Sequence, residues 1–284
     1  MTSLDTWVKG GRPRTLAAAV APVLVGTALA GTHAMLTRAA LALVVSLSLQ
    51  IGVNYSNDYS DGIRGTDSDR VGPIRIVASG LATPAAVKKA ALIAFSIAGI
   101  AGIILAAWTS WWLLLVGTAA IIAAWTYTGG KTPYGYKGFG EISVFVFFGL
   151  VATMGTYYVQ TQTLTLRSLA AAIPIGALSC AILAINNIRD RAKDALVGKR
   201  TLAVYLGENG SRNFFVTLLL VAHLAALFVT PWALITLVAL PFSLRLAREV
   251  KGEKESVALI PMIAKTGKLQ LLFSALLATA ILVS

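Results

Sequence analysis

The sequence predicts an all-α integral membrane protein: a bundle of nine transmembrane helices in one domain over residues 1–284, with two Asp-rich cytoplasmic motifs. Three observations carry this reading. Of the 284 residues, 57% are hydrophobic and 13% charged, about half the charged share of a soluble domain. Apolar runs recur along the whole length at 15–31, 39–57, 85–106, 111–128, 141–160, 168–188, 213–230, 232–248 and 267–284. A helix needs about 20 residues to cross ~30 Å of hydrocarbon, so each run is a candidate span. Finally, one cysteine and two histidines exclude an internal disulfide framework and leave little material for a zinc site.

Lys9, Arg12 and Arg14 precede the first span, and Ala28-Leu29-Ala30 closes it. That pattern also fits a signal peptide, but eight further spans remain either way, and we read the first as retained. The second span runs into a polar stretch at 54–67. The third carries Lys88 and Lys89 near its start, and the fourth begins at Trp111 and Trp112, where an interfacial aromatic belt is expected. The fifth is short-looped to the sixth, which runs into a second polar stretch at 186–194. Trp232 marks the outer turn between the seventh and eighth spans, and the ninth ends the chain.

With nine spans the loops alternate in side. All 24 lysines and arginines except Arg38 and Arg167 then fall on one side. The positive-inside rule makes that side cytoplasmic, with the N-terminus inside and the C-terminus outside a cell membrane. The net charge of +12 would suggest nucleic acid in a soluble chain; here the cations sit in loops beside a lipid bilayer, and no nucleic-acid partner is expected. All twelve acidic residues fall on the inner side too, which the topology rule does not require. Acids beside bases at one face point to chemistry.

Asn57 with Asp61, and Asn186 with Asp190 and Asp194, recur every four residues. Such positions share one helical face, so two helix ends each present a stripe of oxygen ligands. Facing one another they suit Mg²⁺, which takes carboxylates supplemented by water and substrate phosphate. Arg64, Arg70 and Arg75 follow the first stripe, Arg189, Arg191, Lys199 and Arg200 surround the second, and Lys131 and Lys137 follow the fourth span. Any one of these cations is explained by anchoring, but carboxylates, metal and Arg/Lys donors together make a diphosphate clamp.

At these residues the chain resembles the UbiA-type intramembrane aromatic prenyltransferases, over most of its length. The family pattern of N-x3-D-x3-D in one loop and D-x3-D in the other is met by Asn57, Asp61, Asp190 and Asp194; Gly65 stands where a further carboxylate would fall, and Asp67 follows two residues later. The family's YxxxK motif is met at Tyr127 and Lys131. Asn57-Asp58-Tyr59, Asp61-Gly62, Gly65-Thr66-Asp67 and Gly72-Pro73 look like the menaquinone-pathway branch, the 1,4-dihydroxy-2-naphthoate polyprenyltransferases. The stretch from Tyr134 to Glu141, Asn186-Asn187-Ile188-Arg189-Asp190 and Gly198-Lys199-Arg200-Thr201-Leu202 are similar to it as well.

The resemblance implies Mg²⁺ held by Asp58, Asp61, Asp67, Asp190 and Asp194. It also implies a polyprenyl diphosphate bound by Asn57, Arg64, Arg75, Tyr127, Lys131, Lys137 and Asn186. Ionisation of the donor would leave an allylic cation for an electron-rich ring to attack, with loss of CO2 in this branch. Arg12 or Arg14 would pair with the acceptor carboxylate; the plainer account of either is a snorkelling anchor. Other aromatic acceptors such as 4-hydroxybenzoate stay open. So do two rivals: a CDP-alcohol phosphotransferase, whose D-x2-D-G fragment Asp58, Asp61 and Gly62 fit, and a cation transporter. His33, His223 and Cys180 read as structural, and Gly26, Gly102 and Gly155 as sites of close helix packing.

Overall fold

The computed structural model describes residues 2–66, 72 and 74–284, and among them every regular element is helical. The chain opens with α1 (Leu4–Gly11), N-capped by Ser3, whose hydroxyl accepts the Thr6 N–H, and ended by Arg12 at φ 52°. Then come α2 (Ala17–Leu29), α3 (Leu36–Arg64), α4 (Pro84–Trp108) and α5 (Leu113–Thr126). Helices α6 (Gly140–Val144) and α7 (Ala152–Thr161) form one rod through a π-helical segment, Phe145–Val151. After these come α8 (Leu166–Leu196), α9 (Leu202–Ala226), a 3-10 run Pro231–Ala239 leading into α10 (Leu240–Gly252), and α11 (Ile260–Leu282).

Local chemistry explains the boundaries. Thr83 caps α4 by accepting the Ala86 N–H, with Pro84 at the first helical position. Thr165 and Ser168 form a reciprocal capping box at α8. Gly65, at φ 72°, lets the chain leave α3 while its N–H bonds back into the last turn. Helix α9 is interrupted near its start by Gly207, at φ 71°.

Every apolar run of the sequence falls on a helix. Among the described residues five helices are long and apolar enough to cross a membrane: Leu36–Arg64, Pro84–Trp108, Gly140–Thr161, Leu166–Leu196 and Val257–Leu282. The polar stretches that follow the second and sixth runs are mostly continuations of helix, since α3 runs to Arg64 and α8 to Leu196. The Asn and Asp stripes therefore lie on helix, not loop.

Helix α8 is the centre, packed by α9, the π segment, α11 and α2. Ile175, Leu178 and Ile185 of α8, Phe215 of α9, and Phe273 and Leu277 of α11 form the fully buried core. Two glycines make its closest crossing: a Cβ on Gly149 would stand 2.5 Å from Gly176 Cα. Gly26 likewise meets the Thr153 carbonyl, at 2.5 Å from its virtual Cβ. Gly102 and Gly155 correct the packing expectation. Nothing stands within 4 Å of a Cβ at either, because both line an open cavity. Outward, Ile93, Ile97, Ile100 and Ile104 expose one stripe of α4, the surface a lipid-facing helix presents. Helix α5 has no fully buried residue and packs on α3 and α4, forming one wall of that cavity.

Candidate active site

Because α3 and α8 carry polar residues beyond their apolar lengths, their ends bring two amide–carboxylate stripes to one cavity of about 310 Å³. Asn57 and Asp61 line it from α3, and Asn186, Asn187 and Asp190 from α8. Arg12, Arg75, Tyr127, Thr128 and Lys199 complete the polar end. The remainder is apolar, walled by residues such as Leu105, Leu113, Val116, Phe147, Phe148 and Val151.

Both stripe carboxylates are held by cations and donors. Asp61 is 2% exposed; its Oδ1 accepts the Tyr136 hydroxyl at 2.8 Å, and its Oδ2 lies 3.7 Å from Arg75 Nη2. Burial, and next the Asp61 charge, push the Tyr136 phenol up to about 12, so at neutral pH it is a hydrogen-bond donor. Asp190 receives a bidentate pair from the adjacent, buried Arg189: Nε to Oδ1 and Nη2 to Oδ2, each 2.7 Å. A carboxylate has about four lone-pair directions, and both of these carboxylates line the cavity.

The amides are oriented too. Asn57 Oδ1 accepts the Thr128 hydroxyl at 2.8 Å. Asn186 Nδ2 donates to the Ile182 carbonyl at 3.1 Å and Asn187 Nδ2 to Glu141 Oε1 at 2.8 Å, leaving their oxygens for other partners. At the N-terminal side, Asn54 Nδ2 donates to the Gly11 carbonyl at 2.9 Å and Gln50 Nε2 to Thr15 Oγ1 at 2.9 Å. These bonds fix the turn that brings Arg12 to the cavity.

Several expected site residues stand elsewhere. Asp58, fully buried, does not line the cavity; its Oδ2 accepts the Ile76 N–H and its Oδ1 the Val77 N–H, each at 3.0 Å. It closes the turn after Arg75 instead. Asp194 is also off the cavity wall, 3.8 Å from Lys199 Nζ. Arg64 donates to the Thr128 and Gly130 carbonyls and stacks over the Tyr136 ring, so it braces the turn after α5. Lys131, Lys137 and Arg14 are exposed and do not line the cavity. Asp67 lies outside the described residues. Among the described residues no group of three or more His, Cys, Asp or Glu forms a protein-only metal site.

The donor set still fits a hard cation. Mg²⁺ needs only one or two carboxylates, with waters and substrate phosphates completing its shell. Asp61, Asp190 and the free-standing oxygens of Asn186 and Asn187 on one cavity supply that. Sequence reasoning missed Gln50, Asn54, Thr128 and Glu141 as parts of this assembly. Their signal was present for Gln50 and Asn54, since polar residues inside an apolar span mark a cavity.

The cavity is charged at one end and apolar along the rest, a lining that suits a molecule with an anionic head and an apolar body. The chain belongs to the UbiA prenyltransferase family, whose sequence profile matches residues 19–282. It is thus a prenyl-transferring enzyme, and the phosphotransferase and transporter alternatives fall away.

Among its relatives is a 1,4-dihydroxy-2-naphthoate octaprenyltransferase of Mycobacterium tuberculosis, 48% identical over 99% of this chain and 98% of that one. The protein of the same name from Escherichia coli is 39% identical over 99% and 96%. Among solved structures, a UbiA homologue from Archaeoglobus fulgidus bound to DMAPP and Mg²⁺ shares the fold with a TM-score of 0.71. It is 16% identical and covers 98% of this chain and 99% of that one.

Proposed function

We propose that this enzyme transfers a polyprenyl group from an allylic diphosphate to 1,4-dihydroxy-2-naphthoate, releasing CO2 and diphosphate, as a step of menaquinone biosynthesis. The observation that carries this is the meeting of Asp61 and Asp190, from two helix ends, on one cavity that is apolar beyond them. The relatives' shared name supplies the acceptor.

In this reading Asp61 and Asp190, with Asn186, hold Mg²⁺, which when bound neutralises the diphosphate and makes it a better leaving group. Arg75 and Lys199 line the cavity and donate to diphosphate oxygens. Asp194 serves by holding Lys199, and Asp58 by fixing the turn that follows Arg75. Thr128 holds Asn57 by its oxygen, so the Asn57 Nδ2 donates to the donor phosphates. The Tyr127 ring, packed edge-on to Tyr134 at 5.5 Å, borders the reacting carbon.

The allylic C–O bond breaks and its electron pair leaves with diphosphate. The ring carbon that bears the carboxylate attacks the resulting cation, CO2 leaves from that carbon, and the electron pair of the broken C–CO2 bond returns to the ring. The apolar wall of Phe147, Phe148 and Val151 keeps water from capturing the cation. Arg12 receives the acceptor carboxylate.

We also propose that the nine apolar helical segments all span the cell membrane, with the N-terminus cytoplasmic and the C-terminus outside, as the cation distribution favours. The function is tested by feeding one prenyl diphosphate and a panel of aromatic acids to membranes containing the protein. A prenylated naphthalenediol without its carboxylate is the expected product by mass spectrometry. Prenylation of 4-hydroxybenzoate in preference would overturn the acceptor assignment.

A further inference from the structure

Glu141 lies in the first turn of α6 and is 5% exposed. One oxygen accepts Asn187 Nδ2 at 2.8 Å, and the other has no hydrogen-bond partner among the described residues. Burying a carboxyl group without a cation is costly, and an apolar residue would fill the position more cheaply, so packing alone does not account for it. Its main chain is fixed from two sides. Cys180 Sγ donates to its carbonyl at 3.1 Å, and Gly140 packs so close to Tyr127 that a Cβ would stand 3.0 Å from the phenol oxygen.

Asn187, the partner, lines the cavity three residues before Asp190 and therefore on the same face of α8. A carboxamide carries its donor and its acceptor in one plane, on opposite sides of the bond that joins it to the side chain. With Nδ2 tied to Glu141, Oδ1 is turned away from Glu141; without that tie the amide can rotate and present its NH2 group instead. We propose that Glu141 is a positioning residue that holds Asn187 with its amide oxygen towards the cavity, as a neutral ligand for the divalent cation that accompanies the prenyl diphosphate. This rests on the prenyl-transfer reading above. An amide oxygen is a suitable ligand for a hard cation, and removing the partner that orients a ligand typically costs ~10–100-fold in metal affinity.

The test is a Mn²⁺ titration of the purified full-length protein, followed by electron paramagnetic resonance, with a thiolo analogue of geranyl diphosphate present. Glu141→Leu weakens Mn²⁺ binding about tenfold. Glu141→Gln, whose side-chain oxygen still accepts from Asn187, binds like wild type. Asn187→Ala matches Glu141→Leu, and the double variant is no weaker than either single one, because all act through the same Asn187 oxygen. Wild-type affinity in Glu141→Leu, additive losses in the double variant, or a Gln variant as weak as the Leu variant would each overturn the proposal. If Glu141→Leu does not fold, Asn187→Ala decides it: wild-type affinity there is equally fatal. Failure of the wild-type protein to bind Mn²⁺ with the analogue would instead overturn the underlying reading of the site.

Discussion

Arg189 grips the carboxylate of its own sequence neighbour, Asp190, through two 2.7 Å hydrogen bonds, and both residues are buried. The Asp190 carboxylate therefore has its counter-charge within the fold. Asp61 is likewise paired with a cation of its own, Arg75 at 3.7 Å.

The Arg189–Asp190 pairing sets the first prediction. Asp190→Asn should abolish prenyl transfer and also lower the melting temperature in EDTA, because it strands a buried guanidinium, at a cost of about 3–5 kcal/mol. Replacing both members, Arg189→Leu with Asp190→Leu, should recover most of that stability without recovering activity. Thermal melts in detergent read both effects.

A second prediction separates Asp58 from Asp61. Asp58→Ala leaves the N–H groups of Ile76 and Val77 unsatisfied, which costs roughly 1–3 kcal/mol for a buried donor. It should raise the KM for the prenyl diphosphate by displacing Arg75, with the Mg²⁺ needed for half-maximal rate unchanged. Asp61→Asn should instead lose activity at every Mg²⁺ concentration. Steady-state kinetics over a metal titration distinguishes them.

A third concerns Tyr136, whose phenol is held up to about 12 by burial and the Asp61 charge. The unfolded chain releases that proton near its ordinary value of about 10, so the unfolded form gains as pH rises between the two. Stability tied to Tyr136 should be complete below about pH 10 and lost on approach to 12. Tyr136→Phe should flatten that part of the melting-temperature profile.

The fourth prediction is topological. In a Cys180→Ser background, a cysteine at Thr66 should resist a membrane-impermeant reagent in intact cells and react once the cells are opened, whereas one at Thr163 should react from outside. Labelling of Thr66→Cys in intact cells would invert the assignment.

The helical architecture and the central site were legible because both rest on period. Apolar runs of about 20 residues mark helices, and the four-residue spacing of Asn57 with Asp61 and of Asn186 with Asp190 marks one face. What was not legible depends on tertiary partners. Asp58 and Asp61 are both buried acids in one motif, and only the approach of Ile76 and Val77 turns Asp58 into a turn anchor. Lys131 and Lys137 look like Lys199 in sequence, yet only Lys199 is folded back onto the cavity by its contacts with Asp194 and the Tyr136 ring. Gly102 and Gly155 read as packing positions, but a small residue opens space as readily as it closes a crossing, and here both open it.

In the proposed reaction, prenyl transfer is coupled to loss of the acceptor carboxylate. Purified protein with Mg²⁺, farnesyl diphosphate and 1,4-dihydroxy-2-naphthoate labelled with ¹³C in its carboxylate measures it directly. The expected result is one labelled CO2 released for each diphosphate, with an unlabelled prenylated product. A prenylated product that keeps the label, or diphosphate released with no acceptor consumed, would contradict it.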